Sequence, residues 1–303
     1  MNLSPFSFFL LSPGAPFMEG AMESTTADMY RKFVDEYDSD SGVRKYTSGT
    51  AGYGIGYLLT HDYARLYLEV VDSYLKTSPP KPLRVLEFGC GGGMNIIHLL
   101  TLLDRHGIPV DRAFGTDFLP RMVSAAEQQA KGFLPPKLAG ILSFHTARNE
   151  NLAQDLAQTI GSPVESLSGS FDLIIGVNTF RYCYRLKKDA DCARDIHRLL
   201  RPGGISVVFD MNTRFPAFRS RLNGSDQRDP VATYVPTLEE YAAPFKTAGF
   251  EVLREENFCW IPHSAGRALT TFCRTVGPFL NLVARSRAMR SLVIARRPNR
   301  GTE

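Results

Sequence analysis

A chain of 303 residues that is 44% hydrophobic and 11% aromatic can bury a large core. Its 22% charged residues and 25 glycines exclude a disordered, collagen-like or coiled-coil composition. The formal charge of +4 is uneven: no acidic residue lies between Glu256 and Glu303, while Arg267, Arg274, Arg285, Arg287, Arg290, Arg296, Arg297 and Arg300 do.

These eight arginines less the carboxylate of Glu303 make the C-terminal end +7 and leave the rest at −3. Such an end reads as a solvated arginine-rich face, with peripheral contact to an anionic or membrane surface as the alternative. No interleaving of basic and aromatic residues recommends nucleic acid as a partner. Cys90, Cys183, Cys192, Cys259 and Cys273 form no C-x-x-C pair and have no histidines at zinc spacing. Reduced thiols in a cytoplasmic protein without a metal are expected.

In chain order, residues 1–26 read as a disordered leader. The apolar run 6–11 has no Lys or Arg before Arg31 and is too short to span a bilayer. Residues 27–78 read as a helical cap, with Met29, Phe33 and Tyr37 on one face and Tyr63, Leu66, Tyr67, Val70, Val71 and Tyr74 on another. Between these, the glycine-rich stretch 48–57 is a hinge or a lid, with Tyr53 a candidate for touching substrate.

The proline-rich residues 78–82 open a main domain over 79–297, followed by a tail at 298–303. Strands are expected at 83–88, 113–116, 141–144, 171–177, 205–210, 250–258 and 291–296. Helices are expected at 95–105, 119–130, 152–160, 189–200 and 238–248. This alternation predicts an α/β fold: a seven-stranded, mostly parallel sheet with helices on both faces. A helical insertion, 263–290, precedes the last strand. Its residues 267–289 read as one or two amphipathic helices broken near Gly277-Pro278, expected to pack on the sheet, with a pocket roof or a membrane surface as alternatives.

The stretch Val85-Leu86-Glu87-Phe88-Gly89-Cys90-Gly91-Gly92-Gly93-Met94-Asn95 runs from a buried strand through glycines into a helix. In an open α/β sheet a ligand lies at the strands' carboxyl ends, and glycines there let backbone approach a cofactor. A dinucleotide fingerprint counted from Gly89 would need glycine at Met94. Glu87 also places a carboxylate where a diphosphate would sit, which suits the ammonium and sulfonium of S-adenosylmethionine better.

The segment resembles the first motif of class I, Rossmann-like S-adenosylmethionine-dependent methyltransferases, E/D-x-G-x-G-x-G, in Glu87, Gly89, Gly91 and Gly93. The resemblance implies that this loop, with Cys90 and Asn95, holds the methionine part of the cofactor, and that Glu87 acts on its amino group. Asp117 ends the second strand, twenty-four residues after Gly93, where an acidic side chain binds the ribose hydroxyls in the family, with Phe118 beside it. Helix capping is the other reading of Asp117.

Arg148-Asn149-Glu150-Asn151-Leu152 is similar to the family's D-A-E-N-L segment, with Arg148 where the adenine-binding aspartate usually stands. Arginine cannot accept a hydrogen bond, so adenine recognition passes to Asn149 or a backbone group. The fourth strand, beginning Phe171-Asp172 and ending at Asn178 beside the cofactor, and Leu199-Leu200-Arg201-Pro202-Gly203-Gly204 before the fifth are also similar to the family.

These features imply a methyltransferase acting on a small molecule, hydrophobic or anionic, through an oxygen atom. Arg181, Tyr182 and Arg185 are candidates for binding it. An oxygen nucleophile needs a base, for which Tyr182, His197, His145 and His61 are candidates. The alternatives are S- or N-methylation, a non-catalytic S-adenosylmethionine-binding protein and a nicotinamide-dependent oxidoreductase.

Overall fold

The computed structural model describes residues 30, 31, 34, 35, 37–40, 42, 43, 62–77, 81–215, 235–261 and 267–299. Tyr53, His61, the leader 1–26 and the glycine-rich stretch 48–57 lie outside the described residues, as does the side chain of Arg185.

Seven strands form one sheet: β1 (Leu83–Phe88), β2 (Val110–Asp117), β3 (Leu142–Thr146), β4 (Phe171–Val177), β5 (Leu200–Met211), β6 (Glu251–Phe258) and β7 (Arg290–Arg296). Their order across the sheet is β3-β2-β1-β4-β5-β7-β6. Only β7 runs against its neighbours. The order reverses between β1 and β4, which opens the crevice where ligands sit in such sheets.

Strand alternation feeds two cores. Val85, Leu173, Ile175, Val207 and Phe209 face α1 (Asp62–Val70), α2 (Met94–Arg105) and α3 (Pro120–Phe133). Leu86, Phe88, Ile174 and Val208 face α4 (Leu152–Ile160), α5 (Phe180–Arg185), α6 (Asp189–Leu199) and α7 (Leu238–Thr247). Both faces of β1 and β4 are therefore apolar, and each fully buried Leu, Ile or Val contributes about 1.5–3 kcal/mol.

Two strands start earlier than the apolar pattern indicates. In β2, half-buried Val110 and exposed Asp111 and Arg112 precede the buried half, and Val110 pairs with Leu83. In β5, Leu200 already pairs with Phe171, and the register then shifts before Ile205, with Gly203 at φ +75°. Pro202 and the glycines end helix α6 at Leu199 and make an irregular strand start rather than a free turn.

The insertion departs from expectation. Helix α8 (Arg267–Ala284) runs unbroken through Pro278. The proline removes one hydrogen bond, to the carbonyl of Arg274, without ending the helix. Gly277 lies on Trp260, whose Nε1 donates to Asn281 Oδ1 at 2.7 Å and holds the second half in line. Nor does its apolar row pack on the sheet: Leu269, Phe272, Phe279, Leu282 and Val283 are exposed, Leu282 by 84%.

The arginine-rich end is likewise less of a free basic face than its composition indicates. Arg285 pairs with Glu256, Arg296 with Glu251, Arg297 donates to the carbonyls of Arg198 and Leu200, and Arg290 is buried. No helix among the described residues is long and apolar enough to cross a membrane.

Candidate active site

The loop after β1 takes its shape from three glycines with left-handed backbone: Gly89 (φ +59°), Gly91 (φ +51°) and Gly93 (φ +79°). A Cβ on Gly89 would lie 1.8 Å from Thr179 Oγ1, and one on Gly93 2.9 Å from Phe144 Cζ. At these two positions glycine is thus required by the backbone angle and by the protein's own neighbours, the Thr179 loop and the Phe144 ring of β3, a reason additional to approach by a cofactor.

Glu87 is fully buried beneath this loop. It accepts from Ile96 N (2.9 Å) and Asn95 Nδ2 (3.1 Å), so its carboxyl group closes the start of α2 from inside the fold. A helix start already filled by a carboxylate is a poor seat for a diphosphate. Asp117, at the tip of β2, accepts from Gly91 N (2.9 Å) and Leu119 N (3.0 Å). It therefore both pins the glycine loop and caps the chain entering α3.

Every hydrogen bond drawn to these two carboxyl groups comes from a neutral N–H, and burial dominates their titration. Burial pushes Glu87 up to about 8 and Asp117 up to about 6, and the charge of Asp117 raises Glu87 further. Among the described residues no cation pairs with these two buried acids on adjacent strand tips, and a ligand carrying an ammonium and a sulfonium together with a ribose diol supplies one. The residues present fit S-adenosylmethionine.

The remaining loops complete one rim. Cys90 is buried, its N–H donating to Thr116 O at 2.7 Å. Asn149 Nδ2 donates to Thr179 Oγ1 at 2.7 Å, joining the loops after β3 and β4. Phe118, Tyr182, Tyr30 and Tyr37 form an aromatic wall: Tyr30 and Tyr37 meet Phe118 edge-on with centroids 6.2 and 6.5 Å away, and Tyr37 meets Tyr182 at 6.0 Å. Tyr30 also donates to Glu150. Periodicity sets Tyr37 on one helical face, and Tyr30, seven residues earlier, falls on the same face, but nothing in that pattern says which loops the face meets.

Several candidates are placed differently. Arg148 is half-exposed and bonded to Asp155 (2.8 and 3.1 Å), which engages its guanidinium on α4 instead of presenting it to an adenine. Arg181 is neither a solvated helix start nor an open anchor for an anion. It is 8% exposed, 3.3 Å from buried Asp210, and its Nη2 donates to the Tyr182 hydroxyl at 2.8 Å.

His197 fails as a base because α6 delivers it to the amino end of the sheet, edge-on to Phe250, with its basicity lowered by burial. His145 bonds Ser143 Oγ at 3.0 Å and lies half-buried against Phe114, on the face of β3 opposite the buried Phe144. Tyr182 is the catalytic candidate that the fold does bring to the strand tips. Its hydroxyl lies 2.5 Å from that of Tyr37, and the Arg181 guanidinium stands 4.7 Å over its ring.

Asn178, after β4, has φ +54° and accepts from Arg290 Nη1 at 2.6 Å. Arg290 and Asp210 escaped the sequence reading. A charge at the tip of an apolar strand was the available signal for each.

Residues 59–255 match the family model of the methyltransferase domain. The chain belongs to the methyltransferase-domain family. The matched domain is that of an S-adenosylmethionine-dependent methyltransferase, and the sheet order agrees with the Rossmann-like fold.

Among curated proteins, the methyltransferase is similar to the non-reducing polyketide synthase tazA of Aspergillus terreus, 31% identical over 45% of this chain and 4% of that protein. It is also similar to the 3-methylorcinaldehyde synthase tropA of Talaromyces stipitatus (31%, 43% and 4%) and to the citrinin polyketide synthase of Monascus ruber (28%, 45% and 4%). The matched segments span about a twentieth of these relatives' lengths.

Among solved structures, the citrinin polyketide synthase CMeT domain has a TM-score of 0.53 at 19% identity, covering 93% of this chain and 66% of that one. The [4+2]-cyclase SpnF has 0.50 at 19%, covering 78% and 82%. At this identity the likenesses speak for the fold, and a cyclase among them shows that the fold by itself does not fix the reaction.

Proposed function

We propose that this methyltransferase places the methyl group on a carbon atom of a small acceptor of the polyketide kind, a ring or chain carbon made nucleophilic by a neighbouring enol or phenol. The sequence kinship with polyketide synthases carries this reading, and the neighbour described as a CMeT domain agrees with it. It replaces the oxygen acceptor expected from sequence.

Bound S-adenosylmethionine supplies an electrophilic methyl on a sulfonium centre. The protein's share is to hold that cofactor, align the acceptor carbon in line with the methyl and exclude water. Glu87 takes the ammonium and Asp117 the ribose hydroxyls, while Asn149 and Glu150 border the adenine side. Phe118, Tyr30 and Tyr37 wall the cleft against solvent. Tyr182, its hydroxyl held by Arg181 Nη2 at 2.8 Å, stands as the general base that receives the proton leaving the acceptor's hydroxyl as its carbon attacks.

The test is incubation with methyl-labelled S-adenosylmethionine and a panel of 1,3-dihydroxybenzenes and β-dicarbonyl compounds. The product's methyl carbon resonance separates C–CH3 from O–CH3. A carbon-methylated product is expected; methyl ethers as the only products would overturn the carbon reading and restore the oxygen one.

A further inference from the structure

Arg290 opens β7 opposite Met211 at the end of β5 and Phe258 at the end of β6. It is 2% exposed, so its charge lies inside the protein. Its Nη1 donates to Asn178 Oδ1 at 2.6 Å and its Nε to the Tyr63 hydroxyl at 2.9 Å. The Tyr63 ring is packed on Phe209 with centroids 4.6 Å apart. One guanidinium thus joins the turn after β4, the helix α1 and the start of β7.

The backbone around it is unusual. Among the described residues only Asn178, Lys187 and Cys259 carry a side chain at positive φ, and two of the three adjoin Arg290. Asn178 holds φ +54° while its N–H donates to Phe209 O at 2.9 Å. Cys259 holds φ +67°, and its carbonyl accepts from Met289 N, next to Arg290, at 2.8 Å. Left-handed backbone is disfavoured for side chains other than glycine and lasts where the surroundings hold it. Arginine suits this task because its planar fork serves two acceptors at once, which a lysine ammonium on a flexible stem does poorly.

We propose that Arg290 is a positioning residue: by bonding the Asn178 side chain while itself held by the Tyr63 hydroxyl, it fixes the left-handed turn after β4 and so the rim of the cofactor site. It rests on the cofactor reading of that rim and is independent of which acceptor atom is methylated. The consequence is a dependence of one residue on another. Glycine adopts positive φ freely, so Asn178→Gly should make Arg290 dispensable for the turn.

The experiment is a double-mutant cycle on the full chain, read by calorimetric binding of S-adenosylhomocysteine and by amide hydrogen exchange at residue 178 in protein without cofactor. Arg290→Met is expected to weaken binding about tenfold and to speed exchange by a similar factor, whereas in the Asn178→Gly background it should change binding less than about twofold. Arg290→Lys should fall between. An equal loss in both backgrounds, or no loss in either, overturns the proposal.

Should Arg290→Met fail to fold, Tyr63→Phe keeps the ring on Phe209 and removes only the hydroxyl. A loss of about threefold that disappears in the glycine background supports the proposal, and an unchanged loss overturns it. Binding by the unsubstituted protein checks the cofactor itself, so failure of that reading shows separately from failure of this one.

Discussion

Glu87 and Asp117 are acids in places that favour their neutral forms, and that gives the empty protein a pH signature. Burial raises Glu87 from 4.5 to about 8 and Asp117 from 3.8 to about 6. In these windows the folded state holds more protons than the unfolded chain, so what these two groups contribute to stability is greatest below about pH 4 and falls as pH rises through 6 and on to 8. The loss is on the order of a few kcal/mol, since each pKa unit is worth about 1.4 kcal/mol. Thermal unfolding of the empty protein between pH 5 and 8.5 should show this decline. Glu87→Gln should flatten its upper part, above about pH 6. A melting temperature that rises with pH across that range would contradict the burial argument.

At the scale of elements, the glycine loop separates backbone requirement from collision. Gly107 and Gly89 both hold positive φ, +66° and +59°. Nothing lies within 4 Å of a Cβ on Gly107, whereas one on Gly89 meets Thr179 Oγ1 at 1.8 Å. Gly107→Ala should therefore cost the backbone term alone, about 1 kcal/mol, and Gly89→Ala a further 1–3 kcal/mol or so from overpacking. Urea unfolding measures the difference; equal costs would mean that the Thr179 loop yields freely.

The same scale shows what could be read in advance. β1 and β4 were legible to the residue because both faces of each are apolar and turn signals bound them. The first halves of β2 and β5 were not, because Asp111, Arg112 and the Pro202-Gly203-Gly204 run look like loop while pairing with Leu83, Arg84 and Phe171 is set by neighbouring strands. Glu87 and Asp117 were visible as strand-tip acids. Arg290 was not, since a charge beside an arginine-rich helix reads as solvent-facing until the sheet order puts β7 against β5. The exposed row on α8 was hidden for the opposite reason: helical periodicity marks an apolar face without saying what covers it.

At the scale of the molecule, the candidate site draws Glu87, Asp117, Asn149 and Asn178 from four consecutive loops on both sides of the reversal in strand order. A ligand bound there bridges β1, β2, β3 and β4, and anything that binds the folded chain but not the unfolded one stabilises it by mass action. At a hundred times its Kd, S-adenosylhomocysteine should add about 2.7 kcal/mol, which for a domain of this size is a rise in Tm of roughly 5–10 °C.

Asp117→Asn keeps the shape but leaves one acceptor oxygen for the N–H groups of Gly91 and Leu119, so the unliganded Tm should fall; with the charge and half the accepting capacity for a ribose diol gone, most of the ligand-induced shift should vanish as well. The control is Leu282→Ser on α8, 84% exposed, where surface substitutions stay within about 0.5 kcal/mol and the full shift should survive. A shift undiminished in Asp117→Asn would move ribose recognition away from the tip of β2. Loss of the shift in Leu282→Ser would instead tie the apolar row of α8 to the cofactor.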